Sequence, residues 1–212
     1  YKSTQAKNTI TSIKFVNSYT PTGNEDEQWF ADKDNGAVPE TQITAYRTGT
    51  EIIVAGNGAR KIMASEDCSS MFQDCRALTS LGLSVLDTSN VTNMHGMFSY
   101  CQALTSLDLS NFDTSKVTDM HGMFADCYAL ASIDVTNFDT SKVTDMGYMF
   151  EHCNPITSID VTNFDTSKVT DMSCMFRFCE SLTSIDVTNF DTSKVTDMGG
   201  MFYDCESLTS LD

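Results

Sequence analysis

One period governs this chain. Cys75, Cys101, Cys127, Cys153, Cys179 and Cys205 each lie 26 residues from the next, and the Met-Phe pairs from Met71-Phe72 to Met201-Phe202 keep the same interval. One unit reads LTSLDLSNFDTSKVTDMHGMFADCYA over residues 104–129. It recurs at 78–103, 130–155, 156–181 and 182–207, with a partial unit before and LTSLD after. A period in the range of roughly 20–50 residues is the mark of a stacked array, because no single unit can bury its own apolar side. Each unit must lie against the next.

Within a unit, Ser106-Leu107-Asp108-Leu109-Ser110 alternates polar and apolar, which predicts a strand with Leu107 and Leu109 inward. Ile159 holds the inward position of Leu107 in its own unit. Asn111 to Ser115 supplies short turn-forming side chains around one apolar residue, Phe112. Met120, Met123, Phe124 and Cys127 follow a 3, 1, 3 spacing. That spacing predicts one face of a short helix of about 9 residues, capped by Thr118 or Asp119, too short to persist alone. The fold class expected is an α/β solenoid, a leucine-rich-repeat array with a parallel β-sheet on one face and short helices on the other, preceded by a small β-rich N-terminal cap. Residues 1–61 form that cap and residues 62–212 the array. Alternating Ile13 and Phe15 and the run Ile52-Ile53-Val54 read as strands of the cap, joined by Gly-containing turns.

The order LxxLxLxxF, with the tail DTSxVTDMxxMFxxC, resembles the BspA-like leucine-rich repeats of bacterial surface proteins, also described as the bacterial surface protein 26-residue repeat. The stretches QWFADKDNGAV and ITAYRTGTEIIVAGNGARKIMAS look like the segment that precedes such arrays. The resemblance implies a secreted or wall-attached protein at the bacterial cell surface, often an adhesin that contacts host proteins, mucin, other glycans or polysaccharide. The chain begins without a signal peptide and stops five residues into a further unit at Asp212, as a fragment of a longer protein would.

Stacking turns every position of the unit into a ladder with a rung each ~4.8 Å. Asp108, Asp134, Asp160 and Asp186 form an outward column on the strand face, flanked by Ser106, Ser132, Ser158 and Ser184 and by Ser110, Thr136, Thr162 and Thr188. This concave face is the candidate ligand-binding surface, and its four carboxylates are candidate calcium ligands, since oxygen-only ligands suit a hard cation. No other cofactor is required. Carboxylates at that spacing repel by ~0.8 kcal/mol per neighbouring pair even in bulk water, so neutralising Asp134, Asp160 and Asp186 is expected to stabilise the array. In the first unit Gly82 interrupts the column, so binding should fade toward that end. Two further columns, Asp113, Asp139, Asp165, Asp191 and Asp119, Asp145, Asp171, Asp197, read as turn and cap residues with Lys116, Lys142, Lys168 and Lys194 between them.

Composition narrows the function. Thirteen Lys and Arg against 29 Asp and Glu give a formal charge of −16, of which residues 78–207 carry −13, so a nucleic-acid backbone is repelled. No apolar run is long enough for direct membrane insertion. The Cys ladder shares its face with Met and Phe and reads as buried thiols rather than a disulfide framework. Three His, scattered among units, supply no catalytic constellation, so no enzyme is expected. The Thr114, Thr140, Thr166, Thr192 and Thr118, Thr144, Thr170, Thr196 ladders raise water ordering on a flat face, against which the interspersed Asp and Lys argue. Two functions remain: an adhesin domain that binds through the array, and a passive stalk that presents another domain.

Overall fold

The computed structural model describes residues 7–30, 44–56, 58 and 61–211. Part of the QWFADKDNGAV stretch, residues 31–38, lies outside them. The first residues form β1 (Ser12–Val16), β2 (Glu27–Phe30), β3 (Thr44–Thr48) and β4 (Glu51–Ala55). The array contributes β5 (Ile62–Met63), β6 (Ser80–Gly82), β7 (Leu86–Asp87), β8 (Ser184–Ile185) and β9 (Ser210–Leu211). A mixed sheet runs β2-β3-β4-β1-β6, so the first full unit is an edge of the same sheet as the N-terminal strands. β1 pairs in parallel with β6, Ile13 against Leu81, and the edge of the Phe15 ring meets the Phe72 ring at 6.1 Å.

The array is a stack of 26-residue coils, but the expected α/β solenoid with short helices does not form: residues 61–211 contain no helix. The segment from Met120 to Cys127 is a chain of tight turns instead. Met123 donates its amide to the Met120 carbonyl at 3.2 Å and Ala125 to that of Gly122 at 3.0 Å. Two residues per coil adopt left-handed backbone, Gly122 at φ 58° and Asp126 at φ 60°, and the same two positions do so in every coil from Ser70 and Asp74 to Gly200 and Asp204. A right-handed helix cannot pass through them. In exchange, every second amide points along the stack. Met120, Gly122, Phe124 and Asp126 donate to the carbonyls of Asp145, Gly147, Met149 and Glu151 at 2.8–3.0 Å. A one-turn helix would be marginal in water, whereas these bonds are repeated down the array.

The continuous parallel sheet expected on the strand face is also largely absent. Only β6 on β1 and β8 on β9 pair as strands there. In the units between, single backbone bonds link some of the coils near this point, from the Ala131 amide to the Thr105 carbonyl at 3.0 Å and from the Thr183 amide to the Thr157 carbonyl at 3.1 Å. The chain bends too soon for more: the Ser110 amide turns back to Asp108 and the Phe112 amide to the Leu109 carbonyl. The unbroken parallel ladder lies elsewhere, through Asp67, Asn93, Asp119, Asp145, Asp171 and Asp197, where a helix cap was expected.

Burial follows the periodic pattern even though the helix does not. Met120, Met123, Phe124 and Cys127 are wholly buried, because consecutive turns and a helix turn the same residues inward. Phe72, Phe98, Phe124, Phe150, Phe176 and Phe202 stack in one column with ring centroids 5.5–5.6 Å apart and planes within 11° of parallel. Each such pair contributes about 0.5–1.5 kcal/mol beyond its burial. All eight cysteines are free thiols. Cys127 and Cys153 donate to the carbonyls of Phe98 and Phe124 in the preceding coils, both at 3.3 Å, and burial pushes the Cys127 thiol up to about 12. A thiol held protonated is neither nucleophile nor metal ligand at neutral pH.

Candidate functional site

The strand-face column is exposed, and each of its carboxylates is the centre of a local turn. Asp108 Oδ1 accepts the Ser110 amide at 3.0 Å and its hydroxyl at 2.7 Å. Asp134, Asp160 and Asp186 do the same with Thr136, Thr162 and Thr188, at 3.0 Å from the amide and 2.6–2.7 Å from the hydroxyl. An Asp accepting the amide two residues on closes a turn that mimics a backbone turn. The hydroxyl, and then the amide, hold all four carboxyls below the ordinary Asp range. Repulsion between rungs is felt at Asp160 from Asp134 and Asp186, but these bonds outweigh it. What offsets the stacked negative charge is therefore inside each rung. Ser106, Ser132, Ser158 and Ser184 lie beside the column with their side chains open to solvent.

The other two Asp columns use the same device. Asp113, Asp139, Asp165 and Asp191 accept the amides of Ser115, Ser141, Ser167 and Ser193 at 2.9–3.0 Å. Asp119, Asp145, Asp171 and Asp197 accept those of His121, Gly147, Ser173 and Gly199 at 2.7–2.9 Å. Among the described residues no three His, Cys, Asp or Glu side chains gather to hold a metal ion. Thr114, Thr140 and Thr166 are buried, which removes them from any water-ordering surface. Each cross-links two coils: Thr114 Oγ1 accepts the Asp139 amide at 2.8 Å and donates to the Asp139 carbonyl at 3.0 Å.

A second outward region escapes the periodic reading because its residues differ from unit to unit. His95 and His121 stack at 4.9 Å, and Tyr148 continues the row at 5.2 Å. His121 Nδ1 lies 3.1 Å from Asp145 Oδ1. Further along the coil, His152 lies 5.5 Å from the Tyr128 ring and stacks on Phe178 at 4.3 Å, and Phe178 meets Tyr203 at 5.7 Å. The Arg177 guanidinium lies over Phe178 at 4.6 Å and Tyr203 at 5.6 Å, and Arg76 over Tyr100 at 5.5 Å. Beneath these rings are two recessed carboxylates. Asp126 accepts the Tyr128 hydroxyl at 2.7 Å, a bond that pushes the phenol up to about 12. Glu151 meets Arg177 at 3.5 Å, and burial, with the Asp126 charge adding to it, raises the Glu151 carboxyl above its ordinary range. The signal available in the sequence was the divergence itself, at positions where the repeat has no consensus.

Stack and surface together define a repeat protein whose coils are held by side-chain ladders and backbone bonds, with carboxylate-hydroxyl rungs outside. The chain belongs to the family described as Mycoplasma protein of unknown function, DUF285, which matches residues 66–159 and 130–211. No curated protein and no solved structure matches it. Among the described residues no helix is long and apolar enough to cross a membrane.

Proposed function

We propose that this chain is a non-catalytic binding array of an adhesin at the bacterial cell surface, which meets a host glycan, mucin, polysaccharide or protein through the outward rungs of its coils. The observation that carries this reading is the column of Asp108, Asp134, Asp160 and Asp186, exposed and set in identical orientation by the same two hydrogen bonds. A surface ordered in advance loses little freedom on binding. Its second carboxylate oxygens and the neighbouring hydroxyls repeat with the coil, which suits a ligand that itself repeats, each weak contact adding to the last. The resemblance to bacterial surface repeats supports the location.

The alternative is a passive stalk. It is favoured by one observation, that the same Asp side chains are what closes each turn, so their constancy has a structural reason without a ligand. A binding screen of glycans, mucins and host proteins, with and without calcium, separates the two. Replacement of Asp134, Asp160 and Asp186 by Asn keeps an acceptor for each turn and removes the charge. Loss of ligand capture with an unchanged melt supports the adhesin reading. Absence of any capture by the unaltered chain leaves the stalk, and capture indifferent to the triple substitution overturns the strand-face column as the binding surface. Calcium-dependent capture abolished by the triple substitution assigns the ion to this column.

A further inference from the structure

Residues 130–146, 156–172 and 182–198 differ from one another only at their first two positions. The segments that follow, GYMFEHCNP, SCMFRFCES and GGMFYDCES, share only Met-Phe and Cys, the inward residues. Across these three units outward change falls, apart from Ala131 against Thr157 and Thr183, in one region, although Ser132 and Lys142 are exposed too and are held constant in the neighbouring units as Ser158, Ser184, Lys168 and Lys194.

Backbone strain within this region points the same way. The left-handed positions accept Gly or Asp at little cost, as at Gly122, Asp126, Gly200 and Asp204. Tyr100 at φ 61°, His152 at φ 57° and Phe178 at φ 59° occupy the position of Asp126, and Tyr148 at φ 59° that of Gly122. His tolerates that region, but bulky Tyr and Phe there are outliers. Strain kept where an unstrained residue is already used by sister units is the pattern of a site that needs the side chain.

We propose that this divergent region is a docking surface for a basic protein segment, whose Arg or Lys side chains seat against Tyr128 and His152 over the recessed carboxylates of Asp126 and Glu151. Charge complementarity carries the choice of partner. The chain is strongly acidic, Asp126 is 7% exposed and the Glu151 side chain 14%, and among the described residues the guanidinium paired with them is that of Arg177, 3.5 Å from Glu151. The protein already fills the neighbouring places on this surface with guanidinium groups of its own, Arg76 over Tyr100 and Arg177 over Phe178 and Tyr203. Among the described residues no cation lies over Tyr128, which is 42% exposed. A cation on an aromatic face gains most where it is partly desolvated, and a recessed carboxylate beside that face supplies the counter-charge. The surface is distinct from the strand-face column and stands without it.

The test uses the whole chain against three immobilised probes: an unstructured peptide alternating Arg and Gly, the same peptide with Gln for Arg, and a set of neutral and acidic glycans. Salt is kept at about 150 mM so that distant charges are screened beyond ~8 Å. The Arg peptide is expected to bind and the Gln peptide not. The pair Asp126→Asn and Glu151→Gln, which keeps the acceptor for Tyr128, should weaken the Arg peptide at least ~10-fold, and Tyr128→Ala, at an exposed position, about 3- to 10-fold. Asp139→Asn with Asp165→Asn removes the same charge from another column, each side chain still closing its turn, and should change affinity less than ~2-fold. Equal weakening by that control pair reduces the effect to bulk charge and overturns the proposal. No binding of the Arg peptide overturns it, as does affinity indifferent to Tyr128→Ala. Glycan capture that Tyr128→Ala abolishes makes this a saccharide surface and overturns it too. Each of these results is independent of what substitution at Asp134, Asp160 and Asp186 does to glycan capture.

Discussion

Two stretches of the same coil, residues 130–146 and 147–155, spend their hydrogen bonds differently, and that difference accounts for which of them varies. In the first, side chains join the coils alongside the main-chain bonds of Ala131, Thr144 and Met146. Asn137 Nδ2 donates to the carbonyls of Leu109 and Phe112, Thr140 Oγ1 to that of Asp165, and Thr144 Oγ1 to that of Thr118. Replacing any of these leaves a partner unmet in a neighbouring coil. In the second, the main chain does the joining: the amides of Tyr148, Phe150 and His152 reach the carbonyls of Ser173, Met175 and Arg177 at 2.8–2.9 Å. Bonds made by the main chain are indifferent to the side chain, so only the inward Met149, Phe150 and Cys153 remain constrained. The outward positions are released from holding the stack and become available for recognition.

The inward residues of the variable stretch should be the least replaceable. Phe150 is buried between Phe124 and Phe176, and Phe150→Ala removes both ring contacts. A loss of about 3–5 kcal/mol is expected. In a stack where each coil touches only its neighbours, that loss should split the urea melt into two transitions. A single transition within about 1 kcal/mol of the unaltered chain would mean that the ring column is not what couples the coils. Thr140→Val comes next. It keeps the volume and removes the hydroxyl, leaving the Asp165 amide and carbonyl without their buried partner. An unmet buried group costs about 1–3 kcal/mol. The same replacement at the exposed Thr192 should cost clearly less, and equal costs would sink the claim that this ladder joins coils.

The period, the inward ladders and the acidic outer columns were all legible in the sequence, because burial repeats with the unit whatever backbone carries it. The helix was misread for a physical reason. Met120, Met123, Phe124 and Cys127 point inward both from a helix and from consecutive turns. What separates the two is the left-handed residues, and glycine marks them at Gly96, Gly122 and Gly200 while Tyr148 and Cys174 conceal them. The strand-face column was recognised as outward. That its Asp closes a turn as the other two columns do was hidden, because Asp-x-Ser and Asp-x-Thr fit an alternating strand equally well. Of the aromatic and carboxylate region only His95, His121 and His152 stand out in the sequence, as scattered histidines without a catalytic constellation, since periodicity discards the positions that differ.

Left-handed backbone offers a further way to probe the variable stretch. Gly122→Ala places a Cβ 3.7 Å from that of Ala125, an ordinary contact, so any cost is backbone strain at φ 58° and not a clash. A loss of about 1 kcal/mol is expected. No loss would undo the explanation of why a helix cannot form here, and with it the reading of Tyr148 as a strained residue.

The smallest effect expected concerns the strand-face carboxylates, and its sign reverses what stacked charge alone implies. Repulsion between rungs predicts that Asp134→Asn, Asp160→Asn and Asp186→Asn together stabilise the array. The hydroxyl and amide bonds that hold these carboxyls low outweigh it, so the folded chain favours their charged form. A carboxyl lowered on folding contributes stability above its unfolded value, near ~4, and loses it as pH falls through the folded value. At neutral pH the triple substitution should therefore leave the melt unchanged or slightly lower. Between about pH 4 and pH 2 the unaltered chain should lose stability more steeply than the variant, so that the two melting curves converge toward acid. Differential scanning calorimetry across that range decides it. A variant that melts higher than the unaltered chain at pH 7, with the gap closing on acidification, would show that repulsion along the column outweighs the turns, and that something outside the chain must neutralise the column when it is at work.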